Sequence, residues 1–306
     1  MELRHLRYFV AVAEALNFTK AAEKLHLAQP SLTRQVKDLE EEIGVRLVDR
    51  SGKRISLTEE GRSFLADAKR LLADCAESVE AVRRLSRGQT GQLNIGYVAN
   101  VHYDLLPATL GAFRKACPHT ALNLFDMTPA EQYQALAERK IDLGFVGLRA
   151  HSTRSDLPWT CVTHDVMMAL LPKREPLAKK GTIDLKELEQ MFFVGMSEKT
   201  NPGAREWLMG TCKEVGFTPR ILQEAEREPA VIQFVATGLG VALLPQQIKR
   251  LPHEGVVFRP VRPDVMAESC AVWKADNPSS CLKQYIQVVK ELAPSMHELQ
   301  SRPGQQ

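Results

Sequence analysis

Residues Asn17–Gly44 read NFTKAAEKLHLAQPSLTRQVKDLEEEIG and predict two short helices joined by a tight turn. Pro30 suits the first turn of the second helix, and Gly44 is a typical helix end. Apolar residues recur every three or four positions in that second helix, which is one stripe of an α-helix: Leu32, Val36, Leu39 and Ile43.

The opposite face of the second helix is polar, and the sequence predicts no helix or strand that would pack against it. It carries Ser31, Thr33, Arg34, Gln35 and Lys37. The first helix, with Thr19 as its expected N-cap, presents the small residues Ala21 and Ala22, which allow close helix crossing. The pattern predicts a helix-turn-helix, whose second helix enters a DNA major groove.

A basic hairpin is predicted directly after these helices. Arg46–Arg50 and Arg54–Leu57 are short β-like runs on either side of Ser51–Lys53, a charged turn. A hairpin in this place is typical of a wing that contacts phosphates. The alternative is a plain three-helix unit with a solvated charged face, and Glu40–Glu42 reads as ordinary solvated charge. The polar helix and the basic hairpin, in this order, favour DNA.

Met1–Gly61 resembles the DNA-binding domain of LysR-type transcriptional regulators along nearly its whole length, from LRYFVAVAEALNFTKAAEKLHLAQPSLTRQV to SLTEEG. Ala28 differs, because the family usually carries Ser or Thr before Gln-Pro, so we expect a weaker cap on the recognition helix. Gln29 is the best candidate for base readout. The full set of expected DNA contacts is Thr19, Gln29, Pro30, Ser31, Thr33, Arg34, Lys37, Arg50, Lys53 and Arg54.

The composition is that of a soluble globular protein with two or more domains. The chain has 306 residues, of which 44% are hydrophobic and 25% charged, and a net charge of +3 that is too small to indicate nucleic-acid binding by itself. No apolar run approaches a membrane span of about 20 residues, and the N-terminus lacks a signal-peptide core. We therefore expect a cytoplasmic protein that does not contact a membrane.

The cysteines and histidines predict neither a metal site nor a cofactor. Six cysteines and eight histidines are scattered without a C-x-x-C pair or an H-E-x-x-H motif. We expect reduced thiols, and Cys270 with Cys281 is the candidate pair if the protein senses oxidants.

A long helix is predicted from Thr58 to Arg87, because the run from Arg62 to Arg87 has neither proline nor glycine. Its a/d seam would be exposed on a single chain and therefore predicts a homodimer. The resemblance implies the same pairing and a tetramer built from two dimers. The seam consists of Leu65, Ala68, Leu72, Cys75, Val79 and Val82.

Beyond a hinge at 88–91, strand-like and helical runs alternate, which predicts an α/β fold with largely parallel sheets. We expect two lobes around a cleft, lobe I at about 92–162 and 266–303 and lobe II at about 163–265. The resemblance implies the same architecture, a periplasmic-binding-protein-like effector domain. The predicted domains are thus 1–57 for the winged helix-turn-helix, 58–87 for the dimerisation helix and 92–303 for the effector domain.

Ligands of open α/β sheets bind beyond the carboxyl ends of strands, beside helix N-termini. Free backbone N–H groups at those termini suit an anion, and the resemblance to regulators of aromatic degradation also favours an organic carboxylate. The alternative for each single residue is helix capping. The expected effector contacts are Ala99, Asn100, Val101, Thr128, Ser197, Lys199, Thr200 and Asn201.

The sequence lacks a G-x-S-x-G elbow, a P-loop and a metal triplet, so we do not expect an enzyme. The interpretation is a regulator that binds an inverted repeat in double-stranded promoter DNA, with RNA polymerase as a further candidate partner. Two alternatives stay open: a redox-sensing regulator of the same architecture, and a small-molecule-binding protein without gene control.

Overall fold

The computed structural model describes residues 1–50, 55–86, 91–99, 105–147 and 157–300. The chain divides into two compact units, Met1–Gly88 and Gln89–Gln306. None of the helices in the described ranges is long and apolar enough to cross a membrane.

The N-terminal unit is a helix-turn-helix followed by a small hairpin and a long helix. Its elements are α1 (Leu3–Ala15), α2 (Phe18–Lys24), α3 (Gln29–Ile43), β1 (Val48–Asp49), β2 (Ser56–Leu57) and α4 (Glu59–Ser86). β1 and β2 pair in antiparallel fashion, as the wing prediction requires. The stripe of α3 lies in the core, where Leu32, Val36 and Leu39 have no exposed surface, whereas Ile43 is partly exposed.

The predicted cap of α2 was wrong by two residues. Asn17 is the N-cap, and its side chain accepts a hydrogen bond from the Lys20 N–H at 3.1 Å. Thr19 lies inside the first turn and is exposed. Asn is at least as good an N-cap as Thr, and its extended backbone at φ −160° lets the side chain reach that N–H.

The predicted seam of α4 divides into two parts. Ala68 is fully buried in the N-terminal core, and Leu65 and Leu72 pack against the same core. These three residues therefore serve their own unit, which differs from the expectation of a single dimer seam. Cys75 is half-buried, while Val79 and Val82 are 47% and 67% exposed.

The C-terminal unit alternates strands and helices, which confirms the predicted α/β class. Its helices are α5 (Leu105–Ala116), α6 (Pro129–Ala137), α7 (Ala204–Glu214), α8 (Glu228–Ala236) and α9 (Ser280–Gln300). Its strands are β3 (Gly91–Tyr97), β4 (Thr120–Asp126), β5 (Leu143–Val146), β6 (Trp159–Pro172), β7 (Ile183–Asp184), β8 (Phe192–Met196), β9 (Arg220–Ala225), β10 (Ala242–Pro245), β11 (Val256–Arg262) and β12 (Met266–Trp273).

The sheets are mixed, so the expectation of largely parallel sheets was only partly correct. β3 is parallel to β4 and β5, and β8 is parallel to β9. The 14-residue strand β6, however, is antiparallel to β10, β11 and β12. It carries the chain from lobe I to lobe II, and β11 with β12 brings the chain back, so the two paths must run in opposite directions.

The passage between the lobes lies within β6. This strand pairs with β12 as far as Val166 and with β10 from Met167 onward. Separate apolar clusters form the cores on the two sides of that point, one around Phe113, Phe145 and Tyr285 and another around Phe193. Side chains near Val166 are therefore placed where the two lobes meet.

Candidate functional site

The outward face of α3 is polar, because the buried apolar residues Leu32, Val36 and Leu39 all lie on the side that faces the core. Thr33 is half-buried, and the other residues expected to contact DNA are exposed: Gln29, Pro30, Ser31, Arg34 and Lys37. Within Met1–Gly88, the described contacts leave this face uncovered. The helix can therefore reach a groove without unfolding any part of its own unit.

Two i,i+4 pairs order the side chains on this face. The Gln29 amide donates to the Thr33 hydroxyl at 3.0 Å, and that hydroxyl donates to the Gln29 carbonyl at 3.0 Å. Lys37 forms an ion pair with Glu41 at 3.2 Å. Such pairs are worth only a few tenths of a kcal/mol. The Gln29–Thr33 pair therefore orders the Gln29 side chain only weakly.

The start of α3 has no side-chain cap, as the Ala28 difference predicted. Ala28 is the N-cap residue, with φ −71° and ψ 131° and no side-chain hydrogen bond to the helix. The backbone is already in the extended conformation that an N-cap serine or threonine needs. The terminal N–H groups of α3 thus lack a side-chain partner from the N-cap.

Ala28→Ser is expected to stabilise the N-terminal unit by about 1 kcal/mol, because the hydroxyl accepts a hydrogen bond from an N–H of the first turn. Urea unfolding of the full chain followed by far-ultraviolet circular dichroism measures the change. Ala28→Val is the control, since it adds volume without an acceptor and should bring no gain. An equal gain from both variants would exclude capping as the cause.

The wing is attached to α3 through a buried carboxylate, and here the sequence interpretation was wrong. Glu40 is only 8% exposed and accepts hydrogen bonds from the backbone N–H groups of Leu47 and Val48, each at 2.9 Å. It also pairs with Arg50 at 2.9 Å. Glu40 is therefore a structural residue, in contrast to the solvated charge that was expected.

Arg50, which was expected to contact DNA, has two partners within its own unit. Besides the pair with Glu40, its guanidinium lies 5.0 Å from the centre of the Phe18 ring. Its side chain is one-third exposed. These contacts link Arg50 to α2 and α3, its phosphate contact stays a prediction, and the expected phosphate contacts Lys53 and Arg54 lie outside the described residues.

The loops expected to bind an effector meet between the two lobes. The Ala130 N–H, at the start of α6 in lobe I, donates to the Thr200 carbonyl of lobe II at 3.0 Å. Arg227 of lobe II lies 3.5 Å from Asp126 and 3.9 Å from Glu131, which are both in lobe I. These contacts bring the ends of β4 and β8 together, as the two-lobe prediction required.

A small cavity of about 30 Å³ lies beneath these contacts. This volume is enough for about two water molecules. The described residues that line it come from both lobes and from the strands between them: Val98, Pro129, Gly147, Asp165, Met196, Asn201, Glu228, Leu243, Leu244, Pro245, Ala267 and Ser269.

One of the predicted effector contacts, Asn201, lines this cavity. The others adjoin its lining residues, lie away from them or fall outside the described residues. Ala99 and Thr128 adjoin the lining residues Val98 and Pro129, and the Ala99 N–H donates to Asp126 at 3.3 Å. Asn201 donates to the Thr200 hydroxyl at 3.0 Å and to the Glu226 carbonyl at 3.3 Å. Ser197 is half-buried and donates its N–H to the Ala225 carbonyl. Lys199 is 83% exposed and pairs with Glu226. Asn100 and Val101 lie outside the described residues.

The helix termini that suggested an anion are occupied by the chain's own carboxylates. Glu198 accepts hydrogen bonds from the N–H groups of Gly203 and Arg205, at 2.7 and 3.2 Å, at the start of α7. At α6, Thr128 and Glu131 form a capping box. The hydrogen bonds from the Thr128 N–H and hydroxyl hold the pKa of Glu131 below its usual value. The helix-terminus argument for an anion therefore fails at α7 and α6, while residues 100–104, before α5, lie outside the described residues.

The sequence interpretation missed a polar cluster at the passage between the lobes. Asp165, 3% exposed, accepts hydrogen bonds from Thr163 at 3.1 Å, from Gln247 at 2.7 Å and from the Ser269 hydroxyl. The partners come from β6, β12 and the turn after β10. The sequence held one indication of this cluster, since Asp165 directly precedes the apolar run Val166–Leu171. A carboxylate in such a strand must be buried and needs donors.

The described cavity lining is acidic. Asp165 and Glu228 are both nearly buried, and none of the described lining residues is basic. In the part of the chain that the structure describes, no group of His, Cys, Asp or Glu side chains is arranged to hold a metal ion. The polar groups that the described lining offers are the side chains of Asp165, Asn201, Glu228 and Ser269.

Comparisons with known proteins agree with both units. Residues 3–62 match the family described as bacterial regulatory helix-turn-helix protein, lysR family, and residues 86–294 match the LysR substrate binding domain. AlsR, an HTH-type transcriptional regulator of Bacillus subtilis (strain 168), is 32% identical to this chain, and the alignment covers 94% of this chain and 95% of AlsR. The Hca operon transcriptional activator HcaR of Escherichia coli (strain K12) is 34% identical, with coverages of 95% and 98%.

A solved structure matches nearly the whole chain. Full-length CbnR in complex with its target DNA has a TM-score of 0.73 and 27% identity, and covers 95% of this chain and 99% of its own. The two matched domains together span nearly the full length of the protein. The chain therefore belongs to the LysR family and is a transcriptional regulator with a helix-turn-helix domain for DNA and a separate domain for a small-molecule effector.

Proposed function

We propose that this regulator reads promoter DNA with the polar face of α3 and that a small molecule bound between the lobes changes that reading. The observation that carries the proposal is the division of α3 into two faces. Leu32, Val36 and Leu39 are completely buried, while Gln29 and Arg34 are exposed on the opposite side. The core covers the apolar face of this helix, so the polar face is available to a partner from outside the unit.

For the DNA contacts, we propose that Gln29 reads a base edge and that Arg34 contacts a guanine or a phosphate. Ser31, Thr33 and Lys37 border the same face and supply further contacts. Thr19, exposed at the start of α2, is placed for a phosphate contact. Among the wing residues, Lys53 and Arg54 stay predicted phosphate contacts.

For assembly, we propose that the distal half of α4 pairs two copies of the chain. Val79 and Val82 carry the apolar surface that the N-terminal core leaves exposed. Two reading heads then require an inverted repeat with half-sites about 34–36 Å apart, or multiples of this distance. A pair of dimers forms the tetramer, and the protein acts in the cytoplasm without a catalytic activity of its own.

Arg34→Ala is expected to weaken promoter binding by about 10- to 100-fold, because a good Arg contact to DNA is worth about 1–3 kcal/mol. A gel-shift titration of a promoter fragment measures the loss, and circular dichroism checks that the helices persist. Lys24→Ala is the matched control. It removes one positive charge from the same unit, but Lys24 pairs with Glu14 of α1, so binding should change little.

Equal losses in Arg34→Ala and Lys24→Ala would show that the protein responds only to net charge. A loss of helical signal in Arg34→Ala would assign Arg34 a structural role. A protein without gene control would shift no promoter fragment in either form.

For the effector, the sequence resemblance and the described lining make different predictions. The resemblance predicts an organic carboxylate. Asp165 and Glu228 favour a molecule that presents hydrogen-bond donors or a positive charge. A thermal-shift screen with matched sets of organic carboxylates and organic amines decides between them.

The mechanism proposed is population shift: a ligand between the lobes changes their closure and, through the oligomer, the spacing of the DNA-reading heads. Because coupling is reciprocal, promoter DNA must change effector affinity by the same factor. A ligand from the screen that leaves both the affinity and the bend of the promoter complex unchanged would contradict this coupling.

A further inference from the structure

Two cysteines face each other across the strands that join the lobes. β6 and β12 are antiparallel, and their register places Cys161 directly opposite Cys270. Directly opposite residues of antiparallel strands have Cα atoms about 4.5–5.5 Å apart, and disulfides span Cα distances of about 4.4–6.8 Å. The register shifts between Ser269 and Cys270, where β6 carries one extra residue, Val162, so the Cys161–Cys270 pair lies directly beside a bulge.

The two thiols have complementary surroundings. Cys161 is half-buried, and its sulfur lies 3.6 Å from the Thr163 carbonyl and within 4.0 Å of the imidazole nitrogens of His164. A hydrogen bond with Cys270 lowers the pKa of Cys161 below its usual value. Cys270 is completely buried. An oxidant therefore reaches Cys161 first, and Cys270 is already in contact with it.

The structure also corrects the pair expected from the sequence. Cys270 packs with Val146 and Val272 on one side of the sheet, while Cys281 belongs to the core on the other side, with Ala271. Successive residues of a strand point to opposite faces, so the sheet separates Cys270 from Cys281.

We propose that Cys161 and Cys270 form a reversible intrachain disulfide when the protein meets a hydroperoxide. The Cys161 thiolate attacks the terminal peroxide oxygen, so that an S–O bond forms, the O–O bond breaks, and the leaving alkoxide or hydroxide takes up a proton. The product is a sulfenic acid. The sulfur of Cys270 then attacks the sulfur of Cys161, the S–S bond forms, the S–O bond breaks, and hydroxide leaves as water with the proton of Cys270. Two thiols lose two electrons in total, the peroxide gains them, and a dithiol reductant reverses the change.

This disulfide adjoins the cavity between the lobes. Ser269, the neighbour of Cys270, lines the cavity and donates its hydroxyl to Asp165. Drawing β6 and β12 together at Cys161 therefore acts directly on the polar cluster that joins the lobes.

Differential alkylation of the full-length protein, before and after hydrogen peroxide, tests the proposal. Cys161 and Cys270 should lose their alkylation together and appear as one cross-linked peptide pair, and dithiothreitol should restore both. The chain offers an internal control in Cys117, whose pKa is raised by burial and by the nearby Cys281. We expect Cys161 to react about tenfold faster than Cys117.

Variants establish the order of attack. Cys161→Ser should abolish the cross-link and leave Cys270 reduced, whereas Cys117→Ser should leave the cross-link intact. Cys270→Ala should trap Cys161 as a sulfenic acid that reacts with dimedone. If Cys270→Ala does not fold because Cys270 lies in the core, Cys161→Ser, at a half-buried position, tests the disulfide by itself.

Oxidation of Cys161 to the sulfinic acid in the wild-type protein, with Cys270 still alkylated, would overturn the proposal. So would equal oxidation rates at Cys161 and Cys117. Promoter binding by the reduced protein is measured in the same samples. Its loss would argue against the regulator function, while its persistence without a cross-link would reject only the disulfide.

Discussion

Glu40→Ala is expected to destabilise the N-terminal unit by about 3 kcal/mol, because it leaves buried N–H groups without acceptors. The carboxylate accepts from the N–H groups of Leu47 and Val48, whose side chains are 1% and 2% exposed, and it pairs with Arg50. Each buried donor that loses its partner costs about 1–3 kcal/mol. The variant should therefore loosen the wing and weaken promoter binding even though Glu40 is buried.

Hydrogen exchange of the Leu47 and Val48 amides in the full-length protein measures this effect. A loss of about 3 kcal/mol corresponds to exchange about 100-fold faster. Glu40→Gln should cost much less, because its amide oxygen still accepts both N–H groups and only the pair with Arg50 is weakened. Glu41→Ala is the surface control, since Glu41 is exposed and pairs with the exposed Lys37, and it should change stability by less than about 0.5 kcal/mol. Unchanged amide protection in Glu40→Ala would show that other groups hold the wing.

Asp165→Ala should cost the C-terminal unit about 3 kcal/mol or more, since Thr163, Gln247 and Ser269 lose an acceptor in a buried site. The cluster also ties β6 to β12 and to the turn after β10, so its loss should free the lobes to move. We expect weaker coupling between effector and promoter binding in addition to lower stability.

Tryptophan fluorescence during urea unfolding isolates this effect, because Trp159, Trp207 and Trp273 all belong to the C-terminal unit. Asp165→Asn keeps the volume and can still accept from Thr163 and Gln247 while its amide donates to Ser269, so it should retain most of the stability. Asp264→Ala, at an exposed position near the same crossing, is the matched control and should be nearly neutral. If Asp165→Ala unfolds at the wild-type urea concentration, the cluster does not stabilise the passage.

Local periodicity was sufficient to predict the helices of the N-terminal unit. The spacing of Leu32, Val36 and Leu39 identified the buried stripe of α3, and Ala28 correctly predicted a helix without a side-chain cap. These features depend on residues three or four positions apart, which the sequence displays directly. Where a neighbouring residue competed for the same role, as Asn17 did with Thr19, the pattern chose the wrong one.

Contacts between distant residues were beyond the reach of such patterns. Glu40 was expected to be a solvated charge, and the sequence did not show that it pairs with Arg50 where the hairpin meets α3 or that Glu198 reaches the start of α7. A carboxylate has the same local pattern whether it is solvated or buried with donors. Only the tertiary structure brings those donors within reach.

The sequence by itself determined the winged helix-turn-helix, the long helix and the α/β class of the second unit, because each is specified by hydrophobic period and turn residues. The tertiary structure alone decided that β6 runs antiparallel to β12, that Cys161 faces Cys270, and that Asp165 joins the lobes. The physical reason is strand register: which residues meet across a sheet depends on the path of the whole chain, whereas a sequence pattern records only neighbours along it.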